Sequence, residues 1–340
     1  MRDNMAQKKA PKVVPSLSLL KGKTILITGG TGTFGHAFVS RILNDKGVKK
    51  IIVLSRDELK QSQMQHEYAH EDRLRFFIGD IRDVARLKRA FEGVDIVVHA
   101  AALKQVPATE YNPFEAIQTN IIGSKNVIDA ALDCKVQKVL LISSDKAVEP
   151  INLYGATKLC AEKLFVAANS YSGVDGGQFS VVRYGNVIGS RGSLVEMIER
   201  QREAGVIRVT HEEMTRFWIK IENVMEIVLE CLSLMHGGEI FVPKMSTMSI
   251  VDVVRLLAPA AQMQMIGVRP GEKMHEMLIT RYEAARVKEL EHVYVIPPEF
   301  GSYNTSWLKK YPGVKPSFRY VSDNDEFALH QKAAEELFKR

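Results

Sequence analysis

The strongest constraint on this chain is a run of glycines set between two kinds of periodicity. Thr24-Ile-Leu-Ile-Thr28 is a short apolar run of β type, Gly29-Gly-Thr31-Gly32-Thr33-Phe34-Gly35 follows it, and a helical pattern continues through Leu43. Glycine permits a tight turn, brings the backbone close to a pyrophosphate and lets helix pack closely on strand, while the helix N-terminus faces the phosphates. Between a strand and a helix this turn predicts a dinucleotide site held by Gly29, Thr31, Gly32, Thr33, Phe34 and Gly35.

The pattern then repeats. Apolar runs at 50–54, 75–78, 95–99, 138–142 and 179–183 alternate with helical stretches, and their lack of strict alternation suits strands buried on both faces. We therefore expect an α/β fold, a doubly wound parallel (Rossmann) sheet over residues 23–185, with a smaller C-terminal substrate-binding lobe at 186–300. Within that lobe the apolar segment 239–242 is expected to return to the main sheet. Residues 1–22 read as a flexible basic leader, and 301–340 as a tail carrying an amphipathic helix near 326–338.

Composition narrows the class. The chain has 340 residues, 46% apolar and 25% charged, enough for one large domain with an added lobe. No apolar run approaches the roughly 18 to 20 residues of a membrane span. A formal charge of +6 suits an anionic substrate, and no nucleic-acid motif accompanies it. Cys134, Cys160 and Cys231 lie too far apart for a paired metal-ligand motif, so we expect no metal and reduced thiols in a cytoplasmic protein.

Polar residues cluster where the expected strands end, the edge at which open α/β sheets bind ligands. The second strand runs into Ser55-Arg56-Asp57-Glu58-Leu59-Lys60. Arg56 and Lys60 would pair with the 2′-phosphate of NADP, which we favour, whereas Asp57 would hold the ribose of NAD or start the next helix. Asp80, followed by Ile81, would accept from the adenine amino group or cap a helix. Small residues Ala100, Ala101 and Ala102 admit the nicotinamide-side ribose, and Lys104 adds a cation. Asn112-Pro113 predicts the start of a long helix containing Thr119 and Asn120, the latter either bridging buried backbone through water or lining the cleft. In the lobe, Asn186-Val187, the anion-suited loop Arg191-Gly192-Ser193 with Leu194, Thr215-Arg216, Arg269 and Glu272 are candidates for phosphates or sugar hydroxyls.

The richest stretch is Ser143-Ser144-Asp145-Lys146, continuing to Tyr154 and Lys158. It begins at a strand's carboxyl end, and Tyr154 and Lys158 share one face of a helix expected over 153–171. A lysine ammonium beside a phenol would lower its pKa and make Tyr154 a base near neutrality.

Gly29-x-x-Gly32-x-x-Gly35 with Tyr154-x-x-x-Lys158 resembles the extended short-chain dehydrogenase/reductases that act on nucleotide sugars. Ser55-Arg-Asp-Glu-Leu-Lys60, Ala100-Ala-Ala-Leu-Lys-Gln105, Ser144-Asp-Lys-Ala147, Arg183-Tyr-Gly-Asn-Val187, Met214-Thr-Arg-Phe217 and Arg269-Pro-Gly-Glu-Lys273 resemble the inverting UDP-N-acetylglucosamine 4,6-dehydratases of the pseudaminic-acid pathway. The likeness covers roughly residues 20 to 295, and Ser144 stands where that family usually has threonine. It implies an NADP-dependent lyase and a homo-oligomer. Tyr154, aided by Lys158, would take the 4-hydroxyl proton while hydride passes to NADP; Lys146 would remove the carbon 5 proton; Asp145 would protonate the departing 6-hydroxyl. Retaining relatives carry glutamate in place of Lys146, so the lysine points to inversion at carbon 5. A UDP-N-acetylglucosamine 4-epimerase would need Tyr154 and Lys158 but has no evident use for Asp145-Lys146, and a non-catalytic NADP-binding protein would need none of the four.

Overall fold

Each apolar run becomes a strand in the computed structural model, which describes residues 17–173, 176–300 and 303–339. The first half alternates strictly: β1 (Thr24–Thr28), α1 (Thr33–Leu43), β2 (Lys50–Ser55), α2 (Glu58–Glu67), β3 (Leu74–Ile78), α3 (Val84–Phe91) and β4 (Ile96–His99). Three helices, α4 (Val106–Tyr111), α5 (Pro113–Ile117) and α6 (Gly123–Asp133), then cross to β5 (Lys138–Ser144), and α7 (Leu153–Ala168) leads to β6 (Gln178–Tyr184). After them come β7 (Asn186–Ile188), α8 (Leu194–Arg202), β8 (Val206–Val209), β9 (Thr215–Lys220), α9 (Ile221–Leu234), β10 (Ile240–Pro243), β11 (Ser246–Ser249), α10 (Ile250–Leu257) and β12 (Gln262–Met265). The chain closes with β13 (Met277–Ile279), α11 (Arg281–Ala284), β14 (Lys288–Glu289), β15 (Val293–Ile296), β16 (Tyr320–Val321) and α12 (Gln331–Phe338).

The main sheet has nine strands in the order β14-β15-β10-β6-β5-β4-β1-β2-β3. It is parallel from β3 to β10, with β15 and β14 antiparallel at one edge. Successive β1 side chains enter different cores: Ile25 and Ile27 pack with Phe38 and Val39, whereas Leu26 packs with Ile52 and Leu54 on the other face. Winding reverses between β1 and β4, and the loops leaving these two strands diverge to open a crevice there. A third core, built from Val195, Ile198, Trp218 and Val254, stands over it.

Several boundaries differ from expectation. The helix predicted from Asn112 is interrupted by a π turn at Gln118–Ile122, and the Asn112 side chain makes no cap. The expected leader extends too far: Leu17–Leu20 forms a 3-10 turn and Leu20 is buried, while residues 1–16 lie outside the described residues. Strand β10 does join the main sheet, but so do β14 and β15, whose short runs carry no clear period. The tail is packed: β16 pairs with β13, the Tyr320 ring lies tilted 4.7 Å from that of Phe217, and the Phe338 ring of α12 lies 5.3 Å from that of Trp218. Among the described residues no helix is long and apolar enough to cross a membrane.

Candidate active site

The crevice is a cleft of about 1200 Å³ between the carboxyl ends of the parallel strands and the lobe. Most of the candidate residues line it, from the glycine turn through Asp145, Lys146, Tyr154 and Lys158 to Arg216, Arg269 and Glu272. Gly35, Asp80, Asn120 and Thr215 do not.

Two glycines explain the shape of the first wall. Gly29 has φ +68°, and a Cβ there would meet the Ala101 backbone at 2.9 Å; a Cβ at Gly35 would meet the Gly30 carbonyl at 2.2 Å. Gly32, the N-cap of α1, offers no side-chain cap, which leaves the first amides of the helix for an acceptor in the cleft. Nearby, the buried Thr119 hydroxyl lines the cleft with no partner of its own. An open, alanine-walled cradle, uncapped amides and an orphan hydroxyl fit a dinucleotide.

At the adenosine end, Asp57 is a helix cap: it accepts from the Lys60 amide at 3.0 Å and its carboxylate meets Lys60 Nζ at 2.5 Å. Arg56 is half exposed and 3.5 Å from Asp80. Asp83, and not Asp80, caps α3; the Asp80 carboxylate accepts from the Arg82 amide at 2.9 Å and guanidinium at 2.7 Å. Asn120 needs no water: it braces the Leu103 amide and carbonyl at 2.8 and 2.9 Å and the Thr157 hydroxyl at 2.9 Å. Arg191, expected toward the sugar, instead donates to the Thr31 carbonyl at 2.9 Å, and Lys104 reaches the same loop through Ser190 Oγ at 3.0 Å. Thr215 turns away from the cleft, its hydroxyl shared with His275 at 2.8 Å and Ser322 at 2.7 Å.

At the other end, β5 delivers Ser144, and a 3-10 turn presents Asp145 and Lys146. Asp145 is buried; its Oδ1 accepts from Ser144 Oγ at 2.8 Å and from Lys146 Nζ at 3.1 Å, and its Oδ2 has no partner. Burial acts to lower the Lys146 pKa, but Asp145 and Glu276, the latter 3.5 Å away, together raise it above the ordinary lysine value. Tyr154 is also raised, by burial first, with Lys146 and a hydrogen bond with Ser144 pulling the other way. This corrects the expectation that Lys158 would draw the phenol down. Lys158 is itself lowered to about 8 by burial, against Glu162, and donates to the Ile142 carbonyl at 2.7 Å. Glu162 is held by Arg183 at 2.7 and 3.1 Å and by Ser143 at 2.6 Å.

Sequence reasoning missed Gln105, Asn152, Arg208, Trp218 and Glu276, all lining the cleft. Glu276 left a faint signal, three residues beyond Arg269-Pro-Gly-Glu-Lys273 and just before β13.

A protein-family model described as "Polysaccharide biosynthesis protein" matches residues 25–298. The chain belongs to that family. Membership among the extended short-chain dehydrogenase/reductases, expected from the glycine turn and Tyr154-x-x-x-Lys158, is thereby borne out. A family member from Campylobacter jejuni, the UDP-N-acetylglucosamine 4,6-dehydratase (inverting), is 46% identical over 316 residues, covering 90% of this chain and 94% of its own. The UDP-glucose 4-epimerase of Rickettsia bellii is 42% identical over 287 residues, covering 81% and 83%. Among solved structures, Pen from Bacillus thuringiensis matches with a TM-score of 0.86 at 38% identity, covering 94% of this chain and 97% of that one.

Proposed function

We propose that this family member is an inverting UDP-N-acetylglucosamine 4,6-dehydratase using NADP, and that it works as a homo-oligomer. The observation that carries the reading is the Asp145–Lys146 pair at 3.1 Å beside Tyr154, since 4-epimerisation has no use for it. In support, the Campylobacter jejuni relative bears that activity in its name. The glycine cradle, Thr119 and Lys158 would hold the dinucleotide, with Arg56 on its 2′-phosphate, and Arg216, Arg269 and Glu272 would face the nucleotide sugar. Bound there, the nicotinamide supplies an acceptor for hydride from carbon 4 and its return to carbon 6.

Tyr154 would take the proton of the 4-hydroxyl as a phenolate, the form that burial disfavours and that Lys146 and an oxidised nicotinamide would favour, and the ketone so formed acidifies carbon 5. The Asp145–Lys146 ion pair is one proton transfer from a neutral amine beside a protonated carboxyl, the forms that elimination needs. Lys146 then takes the carbon 5 proton, Asp145 gives its proton to the departing 6-hydroxyl as water, and the pair is an ion pair again. Water reprotonates carbon 5 from the opposite face and so inverts it, and the hydroxide left takes the proton held by Tyr154, which is a phenolate again. Incubation with UDP-N-acetylglucosamine in deuterated water should give a product one water lighter, with deuterium at carbon 5 and L-arabino couplings in NMR. Unchanged mass with a new sugar would instead make the protein an epimerase.

A further inference from the structure

We propose that Glu276 is a positioning residue for Lys146: its carboxylate holds the ammonium between itself and Asp145 and keeps the working proton on the Asp145–Lys146 pair. The inference rests on the reading of that pair as the elimination machinery. Glu276 is buried, it lines the cleft, and its Oε2 has no hydrogen-bond partner. A buried carboxylate is costly unless opposite charge compensates it. Three cations surround this one without touching it closely: Lys146 at 3.5 Å, Arg216 at 3.9 Å and Lys273 at 3.9 Å.

Two of the three are committed elsewhere. Lys273 donates to the Val148 carbonyl, and Arg216 donates to the Thr215 and Met274 carbonyls at 2.7 and 3.1 Å. Among the described residues, Lys146 has only the carboxylates of Asp145 and Glu276 within ion-pair distance. The Glu276 backbone is held in place: its amide donates to Ser322 Oγ at 2.8 Å and its carbonyl accepts from the Ser322 amide at 2.8 Å. The tail segment carrying Ser322 therefore fixes the Glu276 backbone, from which the carboxylate reaches Lys146 at 3.5 Å. The charged and titratable groups facing Lys146 are Asp145 in its own turn, Tyr154 on α7, Glu276 with Lys273 ahead of β13, and Arg216 on β9.

An anion beside the pair favours every protonated form of it, so its removal should lower both of the pair's apparent pKa values, with Arg216 and Lys273 then unopposed. In Glu276→Gln both limbs of the pH–rate profile for dehydration should move toward acid by about one unit, whereas a merely structural role would lower the rate without moving them. A second readout needs no substrate: competitive labelling of NADP-loaded protein with trace acetic anhydride, read by peptide mass spectrometry. One pKa unit means about tenfold more neutral amine, so Lys146 should label about tenfold faster in Glu276→Gln, with Lys138 unchanged as the reference. Glu276→Asp keeps the charge and should stay within about threefold of the parent on the same reasoning. Parental labelling of Lys146 in Glu276→Gln, or fast labelling in Glu276→Asp, overturns the inference, and the aspartate arm decides the matter if the glutamine variant does not fold. A labelling change in a protein that never dehydrates UDP-N-acetylglucosamine would sink the proposed function and leave Glu276 standing; dehydration with unmoved labelling would do the reverse.

Discussion

Lys146, in the turn after β5, and Lys158, on α7, line the same cleft, yet their ammonium groups answer to opposite forces. Burial acts to lower both. Lys146 nonetheless ends above the ordinary value, because the Asp145 and Glu276 carboxylates face it at 3.1 and 3.5 Å. Lys158 ends near 8, although Glu162 sits one turn along the same helix, because Glu162 is already paired with the Arg183 guanidinium. Burial alone does not set the charge of a lysine. What decides is whether the carboxylates in reach are already neutralised.

The comparison can be broken most severely at Arg183, which is buried and bridges Glu162 to Glu283 at 3.1 Å. Arg183→Met strands two carboxylates and should cost about 3 to 5 kcal/mol in denaturant unfolding. In the variant that still folds, Glu162 is released to Lys158, whose pKa should climb toward that of Lys146; a Lys158 pKa left near 8 would refute the account.

A smaller effect separates the two lysines by pH. The folded pKa of Lys158, about 8, lies below its ordinary 10.5. Between those values the unfolded chain binds more protons than the folded one, so stability rises with pH. Cofactor-free protein should gain about 2 kcal/mol between pH 8 and pH 10 from this group. Lys158→Met should flatten that gain. Lys146→Met should not, because its raised pKa keeps it protonated in both states across that window.

Arg56 gives the mildest contrast, a half-exposed cation whose ion pair to Asp80 is 3.5 Å long. A charge-assisted pair with a 2′-phosphate is worth roughly 1.5 to 3 kcal/mol, so Arg56→Ala should weaken NADP about ten- to a hundredfold while sparing NAD. Titration with both cofactors checks this, and equal losses would remove Arg56 from the 2′-phosphate.

Much of the molecule could be read locally. The unalternating run at β1, the glycines after it and the polar residues at the end of β5 each carry their reason within a few positions, because strand burial, positive φ and helix facing are short-range matters. Reading failed where a side chain had several acceptable partners in space. Asp80 was read as a possible helix cap, but Asp83 takes that place and the Asp80 carboxylate pairs with Arg82 and Arg56. Arg191 was assigned to the sugar because of its loop, but the fold lays that loop on the Thr31 carbonyl.

The sequence by itself determined the parallel sheet, the dinucleotide cradle and the presence of an aspartate, a lysine and a tyrosine at one strand end, because hydrophobic period and backbone freedom are properties of neighbours along the chain. Only the tertiary structure decided their charges. Glu276 comes to Lys146 from 130 positions away in the chain, held there by Ser322 from farther still. Coulomb energy depends on distance in space and on what else has already paired, and neither quantity is written in the order of residues.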